Sequence, residues 1–333
     1  MRNREFDISI IVPLYNEEDG MEMLLCRLDA LLDHCLPAGL RIEIILVDDG
    51  SKDNTPLLIK LKAADHPAYR AVILSRNFGH QMAVSAGLTY ASGTKAVFII
   101  DGDLQDPPEL LPAFYEKLCS GYDVVYGIRK KRKEPWYKPF SYAFFYRLLG
   151  KISTIQIPMD SGDFSLISRR VANLLVQMPE ESRFLRGMRS WVGFKQAGIT
   201  YEREGRHAGE PKYSFRKLWK LAKDGIFNFS EVPVALMQRT GLLAILLSIT
   251  YFIYILFKKI LYQSVPPGFT TLVFMIILFA GLQFIFLGIL GEYVLRIFFQ
   301  VKKRPHFIVK ECTDSTASKT IEHHGKEKQE EER

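Results

Sequence analysis

Cysteine is scarce: the 333 residues contain four, Cys26, Cys35, Cys119 and Cys312, in neither metal-ligand spacing nor a paired pattern. A disulfide framework and a Cys-based zinc site are thereby excluded, and reduced thiols in a reducing compartment are expected. No secretory leader is expected either, because residues 1 to 12 hold no h-region and no small-residue cleavage site. The first 230 or so residues are therefore expected to remain unexported. No internal repeat and no low-complexity segment interrupts this part of the chain. The most informative lack is of charge. In a chain with a formal net charge of +7, none occurs from Thr240 to Phe257 or from Leu261 to Gly291.

At about 1.5 Å rise per residue, roughly 20 apolar residues cross a hydrocarbon core near 30 Å thick, and both uncharged segments have that length. Two buried helices of a soluble core are the weaker alternative. Gln263-Ser-Val-Pro-Pro-Gly268 reads as a tight turn between them. The expected organisation is a cytoplasmic catalytic domain over 1–212 and an interfacial amphipathic region over 213–234. A two-helix transmembrane hairpin over 235–304 follows, with spans near 240–258 and 269–291, and then a cytoplasmic tail over 305–333. Thr313 to Arg333 is polar and charged, which predicts disorder and makes His323-His324 a solvated pair. Arg216, Lys217, Lys220, Lys223 and Arg239 precede the hairpin and Lys302, Lys303 and Arg304 follow it, against Lys258 and Lys259 at the turn. Positive-inside bias then places a multi-pass protein in the inner membrane with its large domain cytoplasmic. The basic excess crowds beside these apolar segments, so anionic membrane lipids rather than nucleic acid are the expected partner.

From residue 6 onward, short apolar runs alternate with amphipathic stretches. Strands are expected at Ile8–Val12, Ile42–Val47, Ala71–Leu74, Ala96–Ile100 and Asp123–Tyr126, with helices such as Met21–Leu32 and Gln81–Ala91 between them. This order predicts an α/β fold built on a mostly parallel, Rossmann-like sheet. Ligands of such sheets lie beyond the carboxyl ends of the strands. The polar residues there are Pro13-Leu-Tyr-Asn-Glu-Glu18, Asp48-Asp-Gly-Ser-Lys-Asp-Asn-Thr55, Ser75-Arg-Asn-Phe-Gly-His80 and Asp101-Gly-Asp-Leu-Gln-Asp106, all at one rim.

Asp101 and Asp103 flank a glycine at a strand end and can be aimed at one point. Such a pair repels itself unless a cation sits there, and a hard ion such as Mg²⁺ or Mn²⁺ takes carboxylates together with substrate phosphate oxygens. The alternative is a pair of solvated loop acids capping the helix after Pro107. Asp48, Asp49, the Asn16-Glu17 turn and Arg76-Asn77 offer hydrogen-bond partners for a base and ribose beside that ion. Asp49 or Thr55 could equally cap the helix beginning near Asp53.

These stretches, with Asp160-Ser-Gly-Asp-Phe164 and Arg183-Phe-Leu-Arg-Gly-Met188, resemble the family 2 glycosyltransferases of GT-A fold. The nearest branch is the polyisoprenyl-phosphate glycosyltransferases, including bactoprenol glucosyltransferases and dolichol-phosphate mannose synthases. The resemblance runs from about residue 7 to residue 304. It implies inverting transfer of a sugar from a nucleotide sugar to a polyprenyl phosphate, with Asp48 and Asp49 on the nucleotide and Asp101, Asp103 and Gln105 at the metal. Pro13, Tyr15, Asn16, Glu17, Arg76 and Gly102 complete the expected donor site, and Asp163 lies near the reacting centre. A homo-oligomer, as a tetramer, is also implied. Gln105-Asp106 leans toward glucose, hence UDP-glucose; N-acetylglucosamine, mannose and an aminoarabinose derivative are the alternatives. Gly102 and Ser161 stand where the family suggests Ala and Thr, and Pro211 departs from Glu-Ser-Lys-Tyr.

Bond breakage leaves a nucleoside diphosphate, so cations are required around it. Arg206 and Lys212, in Arg206-His-Ala-Gly-Glu-Pro-Lys-Tyr213, suit a loop closing over the diphosphate, and Arg129, followed by Lys130 to Lys133, suits the acceptor phosphate. A phosphate monoester is already anionic near neutral pH, so Asp163 is assigned to orientation or to assisting with the second phosphate proton. Along Tyr213–Phe229, Phe215, Leu218, Trp219, Ala222, Ile226 and Phe229 share one helical face and Arg216, Lys220 and Lys223 another, as in an interfacial helix. Trp136 to Ile152 is similarly aromatic and basic. A processive family 2 enzyme would carry Gln-x-x-Arg-Trp, which Arg189-Ser-Trp191 does not match. A nonenzymatic membrane scaffold would have no reason to keep clustered carboxylates.

Overall fold

The strand at Ile8–Leu14 (β1) is buried along its whole length, including Ser9, so it is covered on both faces and must lie in the middle of a sheet. In the computed structural model, which describes residues 6–34, 39–129, 161–180, 183–202, 232–262 and 268–314, it does. The described residues form an eight-stranded sheet in the order β7-β5-β6-β4-β1-β2-β3-β8. Its members are β2 (Ile42–Asp48), β3 (Tyr69–Leu74), β4 (Ala96–Ile99), β5 (Val124–Arg129), β6 (Ser161–Ser168), β7 (Gln196–Tyr201) and β8 (Val309–Asp314). Helices α1 (Met21–His34), α2 (Thr55–Asp65), α3 (His80–Tyr90), α4 (Leu111–Cys119), α5 (Arg169–Gln177) and α6 (Leu185–Trp191) connect them.

Pairs β1–β2, β1–β4, β2–β3 and β5–β7 are parallel, and β4–β6, β5–β6 and β3–β8 are antiparallel. The sheet is thus mixed: β1, β2, β3, β4, β5 and β7 run one way, in keeping with the expected mostly parallel sheet, while β6, which runs back between β4 and β5, and the edge strand β8 oppose them. Beneath the β4–β6 region, Phe98, Phe114, Phe164 and Tyr201 make successive ring contacts with centroids 5.0–5.6 Å apart. Edge-to-face and tilted pairs of this kind add about 0.5–1.5 kcal/mol each beyond burial. They give the strand ends bearing Asp101 and Asp163 a rigid base.

The expected tail beginning at residue 305 needs correction. Val309–Asp314 is β8, antiparallel to β3, with Val72 opposite Cys312 and Leu74 opposite Val309. Ser75 N–H donates to the Ile308 carbonyl at 2.9 Å, and Lys60 pairs with Glu311. The sequence Val-Lys-Glu-Cys-Thr-Asp lacks a strong apolar signal because an edge strand is half solvated, so only pairing with β3 orders it. Among the described residues, Cys26, Cys119 and Cys312 are in no disulfide.

The described residues divide into two compact units, 6–202 with 305–314, and 232–304. The second holds helices α7 (Val232–Tyr262) and α8 (Phe269–Lys302). Both expose large apolar side chains, among them Leu243, Leu247 and Phe257 on α7 and Phe284, Leu287 and Val294 on α8. Among the described residues, Leu278–Lys302 is the segment long and apolar enough to cross a membrane. The other expected span, near 240–258, falls within α7, between Arg239 and Lys259. Lys303, in the left-handed region at φ 48°, caps α8 before Pro305. The expected interfacial stretch over 213–229 and the aromatic stretch over 136–152 lie outside the described residues.

Candidate active site

Parallel strands β1, β2, β3 and β4 end side by side, and the four loops leaving them interlock through backbone and side-chain hydrogen bonds. Asn16, in the left-handed region at φ 51°, donates its N–H to Ser51 Oγ (2.9 Å) and accepts the Lys52 N–H at Oδ1 (2.9 Å). Glu17 N–H donates to Thr55 Oγ1 (3.1 Å). Tyr15 is half-buried beside this turn and Pro13 is buried. Asn tolerates positive φ better than other non-glycine residues, which explains its place at the bend.

Asp48 and Asp49 are both buried, and both carry hydrogen-bonded roles within the loops. Asp48 accepts the Ser51 N–H at 3.2 Å. Asp49 accepts the N–H groups of Phe78 (2.7 Å) and Gly79 (2.9 Å), clamping the β3 loop onto the β2 loop. Asp49 therefore does not cap α2; Asp53 accepts the Thr55 N–H instead. Burial raises both Asp48 and Asp49 above the usual carboxylate range despite these bonds. Gly50 lies at φ +68°, where a Cβ would sit 2.3 Å from the Arg76 carbonyl carbon. Arg76 itself covers the Phe78 ring at 4.2 Å.

Beyond β4 the chain turns through Asp101-Gly-Asp-Leu-Gln. Leu104 sits at φ 58° with its side chain buried, a strained conformation for a γ-branched residue held by packing beneath the turn. Gly102 permits the approach of β1, since a Cβ there would meet Leu14 Cδ2 at 2.4 Å and the Pro13 oxygen at 3.1 Å. That contact accounts for glycine where the family suggests alanine. Asp101 Oδ1 is buried without a hydrogen-bond partner, and Asp103 Oδ1 accepts the Gln105 N–H at 3.2 Å. Burial pushes Asp101 up to about 6; His80 opposes this, and Asp106, Asp163 and Asp103 add to it. Among the described residues no group of three His, Cys, Asp or Glu is arranged to hold a metal. A buried carboxylate oxygen that accepts no hydrogen bond and has His80 Nε2 3.5 Å away, two residues from a second acid, nevertheless suits a divalent cation completed by substrate oxygens.

Asp163, on β6, is 7% exposed and held by three neighbours. Its Oδ1 accepts Arg186 Nε–H (2.9 Å), and its Oδ2 accepts Gln81 Nε2–H (3.0 Å) and Arg186 Nη2–H (3.3 Å). His80 Nε2 lies 3.4 Å from Asp163 Oδ2 and 3.5 Å from Asp101 Oδ1, bridging the two acids. Burial opposes charge on both partners, but the Asp163 hydrogen bond and the field of Asp101 raise His80 to about 9, while Arg186 and His80 hold Asp163 well below the carboxylate range. Sequence reasoning missed His80, Gln81 and Arg186 as site residues. His80 and Arg186 stand inside the stretches Ser75–His80 and Arg183–Met188 and Gln81 directly follows the first, and the signal was their position at the first turns of α3 and α6.

Arg129, at the end of β5, is not a bare surface cation. Its Nε–H donates to Tyr201 Oη (3.3 Å), Nη2 lies 3.7 Å from buried Asp106 Oδ2, and Tyr201 Oη–H donates to Asp106. A Cβ on Gly162 would stand 3.0 Å from Arg129 Nη2, so the glycine makes room for the guanidinium. Arg206 and Lys212 lie outside the described residues.

Comparison with known proteins gives the family. Residues 9–175 match the model of glycosyl transferase family 2. The chain is 41% identical over 304 residues to an uncharacterized glycosyltransferase of Synechocystis sp., covering 91% of this chain and 94% of that one. It is 36% identical over 304 residues to the bactoprenol glucosyl transferase of Shigella phage SfII, covering 91% and 97%. Among solved structures, a mannosyltransferase from Pyrobaculum calidifontis in complex with GDP-Man and Mn²⁺ is similar with a TM-score of 0.43 at 19% identity, over 66% of this chain and 61% of that one. With a GT-A-like mixed sheet, a carboxylate-lined rim and relatives of this similarity, the chain belongs to glycosyl transferase family 2 and is a glycosyltransferase.

Proposed function

We propose that the protein transfers a sugar, glucose in first place, from a UDP-sugar to a polyprenyl phosphate with inversion, at the cytoplasmic face of the inner membrane. The observation that carries this reading is the rim itself: a buried Asp101 oxygen that accepts no hydrogen bond, beside Asp103, where the loops of four strands meet. Asp101, Asp103 and Gln105 would hold Mg²⁺ or Mn²⁺. When bound, the ion supplies charge stabilisation for the departing diphosphate. Asn16, Glu17, Asp48, Asp49 and Arg76 shape the nucleotide side, Arg206 and Lys212 add cations over the diphosphate, and Arg129 faces the acceptor phosphate with Asp106 and Tyr201 fixing its direction. The 36% identity to bactoprenol glucosyl transferases supports the acceptor and sugar class.

A membrane hairpin belongs to the same reading: α8 contains a segment long and apolar enough to cross a membrane, the uncharged run Thr240–Phe257 in α7 would supply the return, and homo-oligomeric packing, as a tetramer, would place several hairpins side by side. The test is incubation of membranes containing the protein with a panel of radiolabelled nucleotide sugars and undecaprenyl phosphate. Label from UDP-glucose entering the lipid phase supports the reading; label entering only water-soluble product overturns it.

A further inference from the structure

Asp163 is the obvious candidate for a general base, being an acid next to the proposed metal site. Its surroundings contradict that role. A general base needs a lone pair aimed at the proton it takes and a basicity matched to the working pH. Both Asp163 oxygens already accept hydrogen bonds, one from Arg186 Nε and the other from Gln81 Nε2 and Arg186 Nη2, with His80 Nε2 a further 3.4 Å away. The Arg186 contact is two-pronged, the geometry in which guanidinium and carboxylate fix one another's plane. Gln81 is fixed in turn, since its Oε1 accepts the Leu185 N–H at 2.9 Å. Asp163 thus ties the first turn of α3 to the first turn of α6, and through His80 reaches Asp101.

We infer that Asp163 is a positioning residue and not the base: its carboxylate anchors Arg186, Gln81 and His80 in fixed orientation beside Asp101. The inference rests on the transferase reading above. An acceptor already ionised as a phosphate monoester removes the need for a strong base, which is why an anchored, poorly basic carboxylate is compatible with turnover. What the set provides is placement, with the cationic Arg186 held over the acid cluster instead of swinging to solvent.

The experiment compares wild type, Asp163→Asn, Arg186→Gln and the double variant in sugar transfer to undecaprenyl phosphate between pH 5.5 and 8.5. Misplacement of reacting groups by about 1 Å costs on the order of 10²-fold in rate. Asp163→Asn is expected to lower kcat by that order with donor KM nearly unchanged, and to keep a pH profile parallel to wild type. Arg186→Gln is expected to show a similar loss, and the double variant no further loss, because both changes break one unit. If Asp163→Asn does not fold, Arg186→Lys, which keeps the charge but loses the two-pronged contact, should fall between wild type and Arg186→Gln. An acidic limb that disappears in Asp163→Asn, or losses that multiply in the double variant, overturns the anchor role alone. A wild type that transfers no sugar to any polyprenyl phosphate overturns the transferase reading and this inference with it.

Discussion

Replacing Gly50 by alanine tests how tightly the two donor-side loops are joined. Gly50 sits at φ +68°, and a Cβ there would lie 2.3 Å from the Arg76 carbonyl carbon and 2.6 Å from the Asn77 nitrogen, both backbone atoms that cannot rotate away. The left-handed conformation costs an L-residue about 1–2 kcal/mol, and overpacking against fixed atoms adds roughly 1–3 kcal/mol. At roughly 2–4 °C per kcal/mol for a domain of this size, the apparent Tm should fall on the order of 5–15 °C. Gly121 provides the control, since it lies at φ +90° with nothing within 4 Å of its would-be Cβ. Gly121→Ala carries the conformational cost only, about 1–2 kcal/mol, and should lower Tm by roughly half as much or less. Gly50→Ala should also raise the KM for the nucleotide sugar, because Arg76 and Asn77 must move. Thermal unfolding of the detergent-purified variants measures the difference; equal losses at the two positions would refute the steric account of the loop junction.

Three further outcomes are expected. EDTA should abolish transfer and Mg²⁺ or Mn²⁺ restore it, and an Asp101→Asn variant fully active in chelator would remove the metal assignment. Arg129→Ala should raise the KM for polyprenyl phosphate by roughly ten- to hundredfold, or about 1.5–3 kcal/mol, and Lys212→Ala should instead raise that for the nucleotide sugar; steady-state kinetics in each substrate separates them, and a donor-only effect of Arg129→Ala contradicts its placement. A cysteine at Ser264 should react with an impermeant maleimide in intact cells while one at Ser318 should not, and the reverse pattern excludes the orientation.

Much of the rim was legible in the sequence because it is built from local rules. The five expected strands appear within a few residues of their reading, since runs such as Ile8–Leu14 and Ile42–Asp48 are largely apolar and buried on both faces. Acids placed just after those runs fall together at the carboxyl ends by topology alone. β6, β7 and β8 were not legible as strands. β6 carries Ser161, Asp163 and Ser165 and reads as a polar motif, yet it is wedged antiparallel between β4 and β5. β8 is ordered by β3 across a gap of more than two hundred residues, a contact no local window contains. The same limit hid the Asp163 anchor, because Gln81, Asp163 and Arg186 meet only when β6 brings α3 and α6 together. It also hid the Asp106 and Tyr201 partners of Arg129, which a surface reading treats as an isolated cation.

The most direct measurement of the central claim is the stoichiometry of transfer by the purified full-length protein in detergent, supplied with UDP-glucose, Mg²⁺ and undecaprenyl phosphate. The account predicts that UDP release requires the lipid phosphate and that each UDP released is matched by one glucose in the organic phase, linked to phosphate with the opposite anomeric configuration to the donor. UDP release that proceeds equally without the lipid, or glucose recovered with retained configuration, would contradict it.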